Sequence, residues 1–233
     1  MTALLVRAKA PGAGLVNTGL HPLLGPAGSA ALQRALLEHA CALAAGSGLA
    51  TFVAYAPPDA APEVAALVPP GVRLLPQGPG ELGQRMGAAS GQVAGTAPGP
   101  VLVIGVDAPT LTASLLVRAA TVLDAAGGCA ARDPGAGADC AAGVVLGPAL
   151  DGGYYLIGLR RPQPSVFALD PGRWGGDQVR TDTLARLRAA GLRAHLLAVL
   201  RDLDTPDDAA ALLADPGLPP VVAARLRPPV LLR

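Results

Sequence analysis

The sequence predicts a single α/β domain in which helices cover both faces of a mostly parallel central sheet. Short apolar runs typical of buried strands alternate with longer helix-like segments along most of the 233 residues. The clearest strand is the β-branched run VLVIGV at residues 101–106, which lies between a Gly-Pro pair and an Asp-Ala-Pro turn. A hydrophobic fraction of 51% with 15% charged residues favours a packed core over disorder.

The strands are predicted from continuous apolar runs that stop at glycine, proline or polar residues. The first run ends in the Pro/Gly cluster that follows Lys9, and the second is cut by Pro57 and Pro58. Two runs flank the turn at residues 150–153 and predict a pair of neighbouring strands. The predicted strands cover residues 2–8, 49–56, 72–75, 101–106, 143–146, 154–159 and 192–200.

The helices are predicted from Ala- and Leu-rich segments bounded by glycine or by capping residues, and the one at residues 28–45 contains no proline. Glycine stops the first of them at Gly46, and the glycine- and small-residue-rich stretch 127–142 predicts a loop. The predicted helices cover residues 28–45, 59–68, 80–94, 112–126, 178–190 and 205–214, with a short C-terminal helix up to Arg227. We expect one domain over residues 1–215 and a Pro-rich tail over 216–233.

Composition excludes several classes of function. The net charge is +1, aromatic residues make up 3%, and no basic run occurs, so a nucleic-acid-binding surface is not expected. No stretch reaches the roughly 20 apolar residues of a membrane span, and the N-terminus lacks the pattern of a signal peptide. The three cysteines lack metal-site spacing, which indicates a cytoplasmic protein.

Unusual residues follow the predicted strands, where parallel sheets bind ligands. The glycine-bearing loop after Lys9 can approach a phosphate with its backbone, although a purely structural turn is an equal alternative. Asp107 follows the best strand and suits a divalent cation, or else caps the next helix. Asp202 and Asp204 alternate after the last strand and could complete a metal site with Asp107, while Asp204 also suits an N-cap.

Two further segments carry candidate chemistry. The run Asp151-Gly152-Gly153-Tyr154-Tyr155 could place a carboxylate beside a substrate hydroxyl, but Asp-Gly is also a strong hairpin signal. Trp174, the sole tryptophan, could be a stacking platform or a packing anchor.

Taken in order, five motifs closely resemble a bacterial family of small GT-A type transferases. Members are often described as glycosyltransferases of radical-SAM or arsenosugar gene neighbourhoods. The family is similar to molybdenum-cofactor and 2-phospholactate guanylyltransferases. The resemblance spans about residues 3–210 and rests on Lys9-Ala10-Pro11, the LGQRM run at 82–86, the GVDAP run at 105–109, the LGPALDGGYYLIG run at 146–158 and the DLDTPDD run at 202–208.

The resemblance implies a Rossmann-like GT-A fold that binds a nucleotide or nucleotide sugar together with Mg²⁺ or Mn²⁺ and transfers to a small-molecule acceptor. It assigns the metal to Asp107, Asp202 and Asp204, and catalytic roles to Asp151 and Asp107. The implied nucleotide-binding residues are Lys9, Gly14, Asn17, Gly78 and Arg85. The implied acceptor-binding residues are Gly152, Gly153, Tyr154 and Trp174.

One departure from the family pattern concerns the phosphate-binding loop. Related loops read K-A-P-x-x-G-R-V-K-T-R-L, whereas this chain has Leu15, Asn17 and Gly19 at the three basic positions of the second half. Phosphoryl and diphosphate transfer need positive charge, so Arg7 and Arg173 are candidate replacements.

Three functions therefore stay open. The first is a metal-dependent, glycosyltransferase-like enzyme with a nucleotide-sugar donor, which the charge-poor loop favours over a triphosphate enzyme. The second is a nucleotidylyltransferase acting on a small phosphorylated acceptor. The third is a non-catalytic family member that binds a partner. The sequence leaves a homo-oligomer open.

Overall fold

The computed structural model describes residues 1–129 and 143–227. Its strands form one sheet in the order β3-β2-β1-β4-β6-β5-β7. The strands are β1 (Ala3–Lys9), β2 (Ala50–Ala56), β3 (Arg73–Pro76), β4 (Val101–Ile104), β5 (Val144–Pro148), β6 (Tyr154–Leu159) and β7 (Ala194–Leu196). All neighbouring pairs are parallel except those that β6 makes with β4 and β5. The mostly parallel sheet is therefore confirmed.

Helices connect the strands and cover the sheet. They are α1 (His21–Gly46), α2 (Ala61–Ala65), α3 (Leu82–Thr96), α4 (Ala113–Cys129), α5 (Val179–Ala189), α6 (Pro206–Leu213) and α7 (Pro220–Leu226). The helix predicted at residues 28–45 is longer in the structure because α1 has an extra first turn. Gly25, at φ 66°, kinks α1 just before Pro26 and separates that turn from the rest.

Two apolar layers sandwich the sheet because side chains alternate along each strand. Leu4 and Val6 of β1 belong to the same buried cluster as Leu37 of α1 and Leu116 of α4. On the opposite face, Leu5 belongs to a cluster that includes residues of α3 and α5. The two layers explain why the strands read as continuous apolar runs.

The C-terminal helix α7 packs against α1. Val222 and Leu226 are buried in a third cluster with Leu32 and Leu36, so the described part of the predicted tail lies on the domain itself. Among the described residues, no helix combines the length and apolar character needed to cross a bilayer.

Some predicted elements were too long. The strand predicted at 192–200 is reduced to β7 plus an isolated bridge between Ala149 and Leu200. The helix predicted at 59–68 becomes a 3-10 turn at Pro58–Ala60 followed by the five residues of α2. The loop predicted at 127–142 starts too early, because α4 runs to Cys129; residues 130–142 of that prediction lie outside the described residues.

Candidate functional site

Backbone hydrogen bonds bring three acidic segments to the same edge of the sheet. Leu203 N–H donates to the carbonyl of Asp107 at 2.8 Å, which fixes the segment after β7 beside the turn after β4. Leu150 N–H donates to the carbonyl of Leu200 at 3.0 Å, which fixes the β5–β6 hairpin beside the same segment. The carboxylates of Asp107, Asp151, Asp202 and Asp204 are therefore neighbours, although they are up to about 100 residues apart in sequence.

The electrostatics of the site show how close these carboxylates are. Burial first, and then the charges of Asp107, Asp151 and Asp204, raise the pKa of Asp202 from 3.8 to about 8. Loss of solvation and the charges of Asp107 and Asp151 raise the pKa of Asp204 to about 6, although that residue keeps more exposed surface than Asp202. Asp202 Oδ1 is buried and has no hydrogen-bond partner among the residues that the structure describes. Buried charge of one sign with an unpartnered oxygen is the pattern expected where a cation binds.

The capping roles considered for Asp107 and Asp204 were wrong. Thr112 caps α4, since its hydroxyl accepts the N–H of Leu115 at 3.3 Å. Thr205 caps α6, and its hydroxyl accepts the N–H of Asp208 at 3.2 Å while Asp208 accepts from the Thr205 N–H in return. With the helix ends satisfied by these residues, neither Asp107 nor Asp204 has a capping role.

Asp208 differs from its acidic neighbours because it is paired. Burial opposes its ionisation, but hydrogen bonds from Thr205 and Arg201 outweigh that cost and hold the pKa of Asp208 below its usual value. Arg201 Nη1 lies 2.8 Å from Asp208 Oδ1. Asp208 therefore supports the start of α6, and this ion pair also removes Arg201 as a balancing charge for the unpaired carboxylates.

The N-cap of α6 is expected to contribute to the free energy of unfolding. Replacing Thr205 by alanine is expected to lower the free energy of unfolding by about 1 kcal/mol, because the first turn of α6 loses its side-chain acceptor. Urea unfolding measures the change. Thr121→Ala is the matched control, since the Thr121 hydroxyl bonds only a carbonyl of its own helix. Equal losses in the two variants would contradict the capping role.

A cavity of about 360 Å³ opens beside the carboxylates. It is lined by residues of β1, of the loop after it, of α1 and of the acidic segments: Arg7, Ala8, Lys9, Val16, Asn17, Thr18, Gly19, Gln33, Val106, Asp107 and Asp204. Arg7 and Lys9 thus share a cavity with two carboxylates. Of the two candidate replacement cations, Arg7 reaches the site, whereas Arg173 lies 3.6 Å from Asp182 of α5 and does not line the cavity.

The altered loop is held by packing and hydrogen bonds. Asn17 adopts a left-handed conformation (φ 47°), which asparagine tolerates better than most residues. Its amide donates to Gln33 Oε1 at 3.2 Å, and Gln33 Nε2 donates to the carbonyl of Lys9 at 2.9 Å. Gly19 lies so close to the carbonyl of Asp204 that a Cβ at this position would collide with it. Asn17 and Gly19 therefore shape the cavity wall next to Asp204.

A second, largely apolar cavity of about 540 Å³ adjoins the first at Lys9 and Val16. Its lining comes from the ends of β1, β2 and β3 and from α3: Lys9, Ala10, Leu15, Val16, Ala56, Pro57, Pro58, Gln77, Gly78, Pro79 and Arg85. The walls suit a flat ring system, and Lys9 stands between this cavity and the acidic one. Gln77 was missed in the sequence; its only signal was a polar residue two positions after the strand predicted at 72–75.

The β5–β6 hairpin confirms the turn and also places Asp151 near the acidic centre. Asp151 Oδ1 accepts the N–H of Gly153 at 2.7 Å, which leaves its other oxygen without a protein partner in the described part of the chain. The carbonyl of Gly152 accepts the N–H of Arg180, which joins the hairpin tip to α5. Tyr154 points to the α3 and α5 layer, where burial raises its pKa despite the nearby Thr183 hydroxyl and Arg7.

Seven residues of the predicted site line neither of these cavities: Gly14, Asp151, Gly152, Gly153, Tyr154, Trp174 and Asp202. Gly14 is in the exposed part of the loop after β1 and lines neither cavity. Trp174 packs against Gly83 of α3 at the margin of the buried layer, as a packing anchor would.

The carboxylates suit a divalent metal that also has phosphate ligands. Mg²⁺ and Mn²⁺ prefer carboxylate and phosphate oxygens, and the unpartnered oxygen of Asp202 offers such a ligand. Within residues 1–129 and 143–227, no three His, Cys, Asp or Glu side chains are already arranged as a metal centre.

Solved structures share this fold. A Desulfovibrio desulfuricans G20 protein, provisionally assigned as a nucleotide-diphospho-sugar transferase, is 26% identical; the match covers 97% of this chain and 94% of that one, with a TM-score of 0.82. A CMP:2-keto-3-deoxy-manno-octonic acid synthetase complexed with CTP is 14% identical, over 91% and 96% of the two chains, with a TM-score of 0.54. Rv0371C of Mycobacterium tuberculosis H37Rv, in complex with manganese, is 19% identical over 92% and 99%, with a TM-score of 0.50.

No curated protein matches this sequence. One family does. The pattern of the bacterial family described as "Uncharacterized protein conserved in bacteria (DUF2064)" matches residues 39–175, from the middle of α1 to the segment before α5. Because this match covers more than half of the chain and includes Gln77, Arg85, Asp107 and Asp151, the chain belongs to the DUF2064 family.

Proposed function

We propose that this protein is a metal-dependent transferase that uses a nucleotide-activated sugar as donor. The observation that carries the proposal is the convergence of Asp107, Asp202 and Asp204 beside a cavity that Lys9 links to a larger apolar one. A nucleotide sugar consists of a flat base, a charged diphosphate and a sugar. The apolar cavity suits the base, and the charged cavity with its carboxylates suits the diphosphate and its metal. The 26% identical Desulfovibrio desulfuricans protein, with its provisional assignment, supports the same chemistry.

In this proposal each of the two cavities binds a different part of the nucleotide-sugar donor. The apolar cavity next to Gly78 and Arg85 holds the nucleoside, and Lys9 and Arg7 face the phosphates. Asp107, together with Asp202 or Asp204, would hold Mg²⁺ or Mn²⁺, and the donor phosphates would supply further oxygen ligands. When bound, such an ion is a Lewis acid that stabilises the negative charge of the leaving diphosphate.

In this proposal Asp151 binds the acceptor and accepts a proton from it. It is exposed at the hairpin tip, its backbone neighbours Gly152 and Gly153 keep the tip narrow, and one carboxylate oxygen is free of protein donors in the described residues. Such an oxygen can orient an acceptor hydroxyl and accept its proton as the new bond forms. We assign Asp151 this role.

The distribution of positive charge favours a diphosphate donor over a triphosphate. Arg7, Lys9 and Arg85 are the cations that line the two cavities, and the loop at residues 15–19 adds none. In the described part of the chain these three side chains form no ion pair, so their charge stays available for the donor phosphates. A nucleoside triphosphate brings more negative charge into the same set of cations.

Calorimetric titration tests the proposal. Nucleoside triphosphates, diphosphates and nucleotide sugars are titrated with and without Mn²⁺ into the wild type and into Asp107→Asn. We expect a nucleotide sugar to bind only with Mn²⁺, and Asp107→Asn to lose at least about tenfold in affinity, since a charged ligand of the metal is removed. Asp207→Asn is the matched control, because Asp207 is an exposed carboxylate of the neighbouring acidic segment and lines neither cavity.

Other outcomes decide between the alternatives. Preferential binding of a triphosphate would replace the proposal with nucleotidyl transfer. Binding weaker than millimolar for every compound would contradict an enzymatic role and favour a non-catalytic one.

A further inference from the structure

We propose that Gln77 selects the nucleobase by accepting a hydrogen bond from an N–H group on its edge; this inference rests on the proposed binding of a nucleotide in the apolar cavity. Gln77 directly follows β3 and lines that cavity. It is only 6% exposed, so nearly all of its side chain is fixed inside the protein.

The orientation of the Gln77 amide follows from its neighbours. Nε2 donates to the carbonyl of Ala8 at 3.2 Å and to the carbonyl of Ala54 at 2.9 Å. Both partners are acceptors, so only the NH₂ end of the amide can face them. The side chain thus crosses from the end of β3 to β1, and its oxygen has to point away from the sheet.

The remaining atom, Oε1, is the one left for a ligand. It has no donor among the described residues, and its residue lines the apolar cavity. Since the residue lines the apolar cavity, the oxygen presents a fixed acceptor there. Every nucleobase carries N–H groups, but at different positions on its edge, so a fixed acceptor favours those bases that can place a donor opposite it.

Gln33 shows what a purely structural glutamine looks like in this fold. Its Nε2 also donates to a β1 carbonyl, that of Lys9, at 2.9 Å. Its Oε1, however, accepts from Asn17 Nδ2 at 3.2 Å, so both ends of the amide are satisfied by the protein. The two residues are equally buried, at 3% and 6%, and differ in this one atom.

The experiment compares base preference in Gln77→Met and Gln33→Met. Affinities for ADP, CDP, GDP and UDP are measured with Mn²⁺ by calorimetry, and the preference is the ratio between the best and the weakest ligand. Methionine keeps the length and removes the amide. We expect Gln77→Met to reduce the wild-type preference at least about tenfold, because the hydrogen bond that separates the bases is lost. We expect Gln33→Met to weaken all four ligands by a common factor and to keep the preference.

The wild type supplies a second test that does not depend on the folding of a variant. The preferred diphosphate, methylated at the N–H groups of its base, is expected to bind at least about tenfold more weakly than the parent compound. Equal binding of parent and methylated ligands, or an unchanged preference in Gln77→Met, would overturn the role of Gln77 while leaving the nucleotide site in place. A wild type that binds none of the four diphosphates would instead contradict the proposed function itself.

Discussion

Replacing Asp202 by asparagine is expected to stabilise the metal-free protein above neutral pH and to remove its response to Mn²⁺. Burial and the neighbouring carboxylates raise the pKa of Asp202 to about 8, from 3.8. Between these values the folded protein holds a proton that the unfolded chain has lost, so stability falls as pH rises towards 8. Asparagine resembles the protonated acid and does not titrate, so the variant escapes this loss.

Thermal unfolding in EDTA between pH 5 and 9 measures the effect. The Tm of the variant should exceed that of the wild type by a small margin at pH 5 and by a much larger margin at pH 8.5, because stability is lost from pH 3.8 upwards and 1 kcal/mol corresponds to about 2–4 °C in a domain of this size. Adding Mn²⁺ with a nucleoside diphosphate should raise Tm of the wild type at pH 8.5 and leave that of Asp202→Asn unchanged.

The matched control for this prediction is Asp207→Asn. It removes an exposed carboxylate from the same segment, so it should follow the wild type in both measurements. If Asp202→Asn showed the same pH profile as the wild type, Asp202 would be an ordinary solvated carboxylate and the acidic cluster would lose its central member.

Replacing Gly19 by alanine is expected to damage the same site by steric means. A Cβ at position 19 would collide with the main-chain carbonyl of Asp204, which cannot rotate away as a side chain could. Either the loop after β1 or the segment carrying Asp204 has to move, at a cost of about 1–3 kcal/mol. Metal-dependent nucleotide binding should weaken at least about tenfold, because Asp204 shifts relative to Asp107.

Gly12→Ala is the control for Gly19→Ala. A Cβ at Gly12 would meet only the flexible end of the Leu15 side chain, at 3.0 Å, and Leu15 is 68% exposed. We expect this variant to have the same free energy of unfolding and the same nucleotide affinity as the wild type. Comparable losses in both variants would mean that the loop is sensitive to any substitution and that the contact with Asp204 has no special weight.

The same contact explains the unusual loop. The family pattern that the sequence resembles has a basic residue at the position of Gly19, and such a side chain would have no room beside the Asp204 carbonyl in this arrangement. Asn17, at a second basic position of the family pattern, is neutral, and its amide donates to Gln33. It therefore supplies no positive charge for a phosphate. The loop has exchanged charge for close packing, and the positive charge of the cavity comes from Arg7 and Lys9 of β1 instead.

Much of the fold could be predicted because strand and helix signals alternate clearly. The run at 101–106 became β4, although it ends at Ile104 because the next residues turn out of the sheet towards Asp107. The antiparallel insertion of β6 between β4 and β5 was not predicted, because strand order depends on packing between distant segments.

The candidate site could be predicted in part, for a related reason. Asp107 and Asp202 follow strands, and strand ends in parallel sheets meet at one edge, so position alone pointed to them. Gln77 gave only a weak signal of this kind, and Arg7 was a candidate because of its charge and not because of its position. The importance of Gln77 depends on two carbonyls, those of Ala8 and Ala54, that come within its reach only in the folded sheet. Arg7 is a half-buried residue inside β1, and only the folded structure shows that it lines the cavity.

The proposed metal site is tested most directly by anomalous scattering at the manganese edge. Crystals of the wild type are grown with Mn²⁺ and a nucleoside diphosphate, and the position of Mn²⁺ is located. We expect an anomalous peak within bonding distance of Asp107 and of Asp202 or Asp204. We also expect the nucleotide phosphates to contact the metal and the base to lie beside Gln77. A nucleotide bound in the apolar cavity without a manganese peak at these carboxylates, or a peak elsewhere on the molecule, would contradict the proposed metal site.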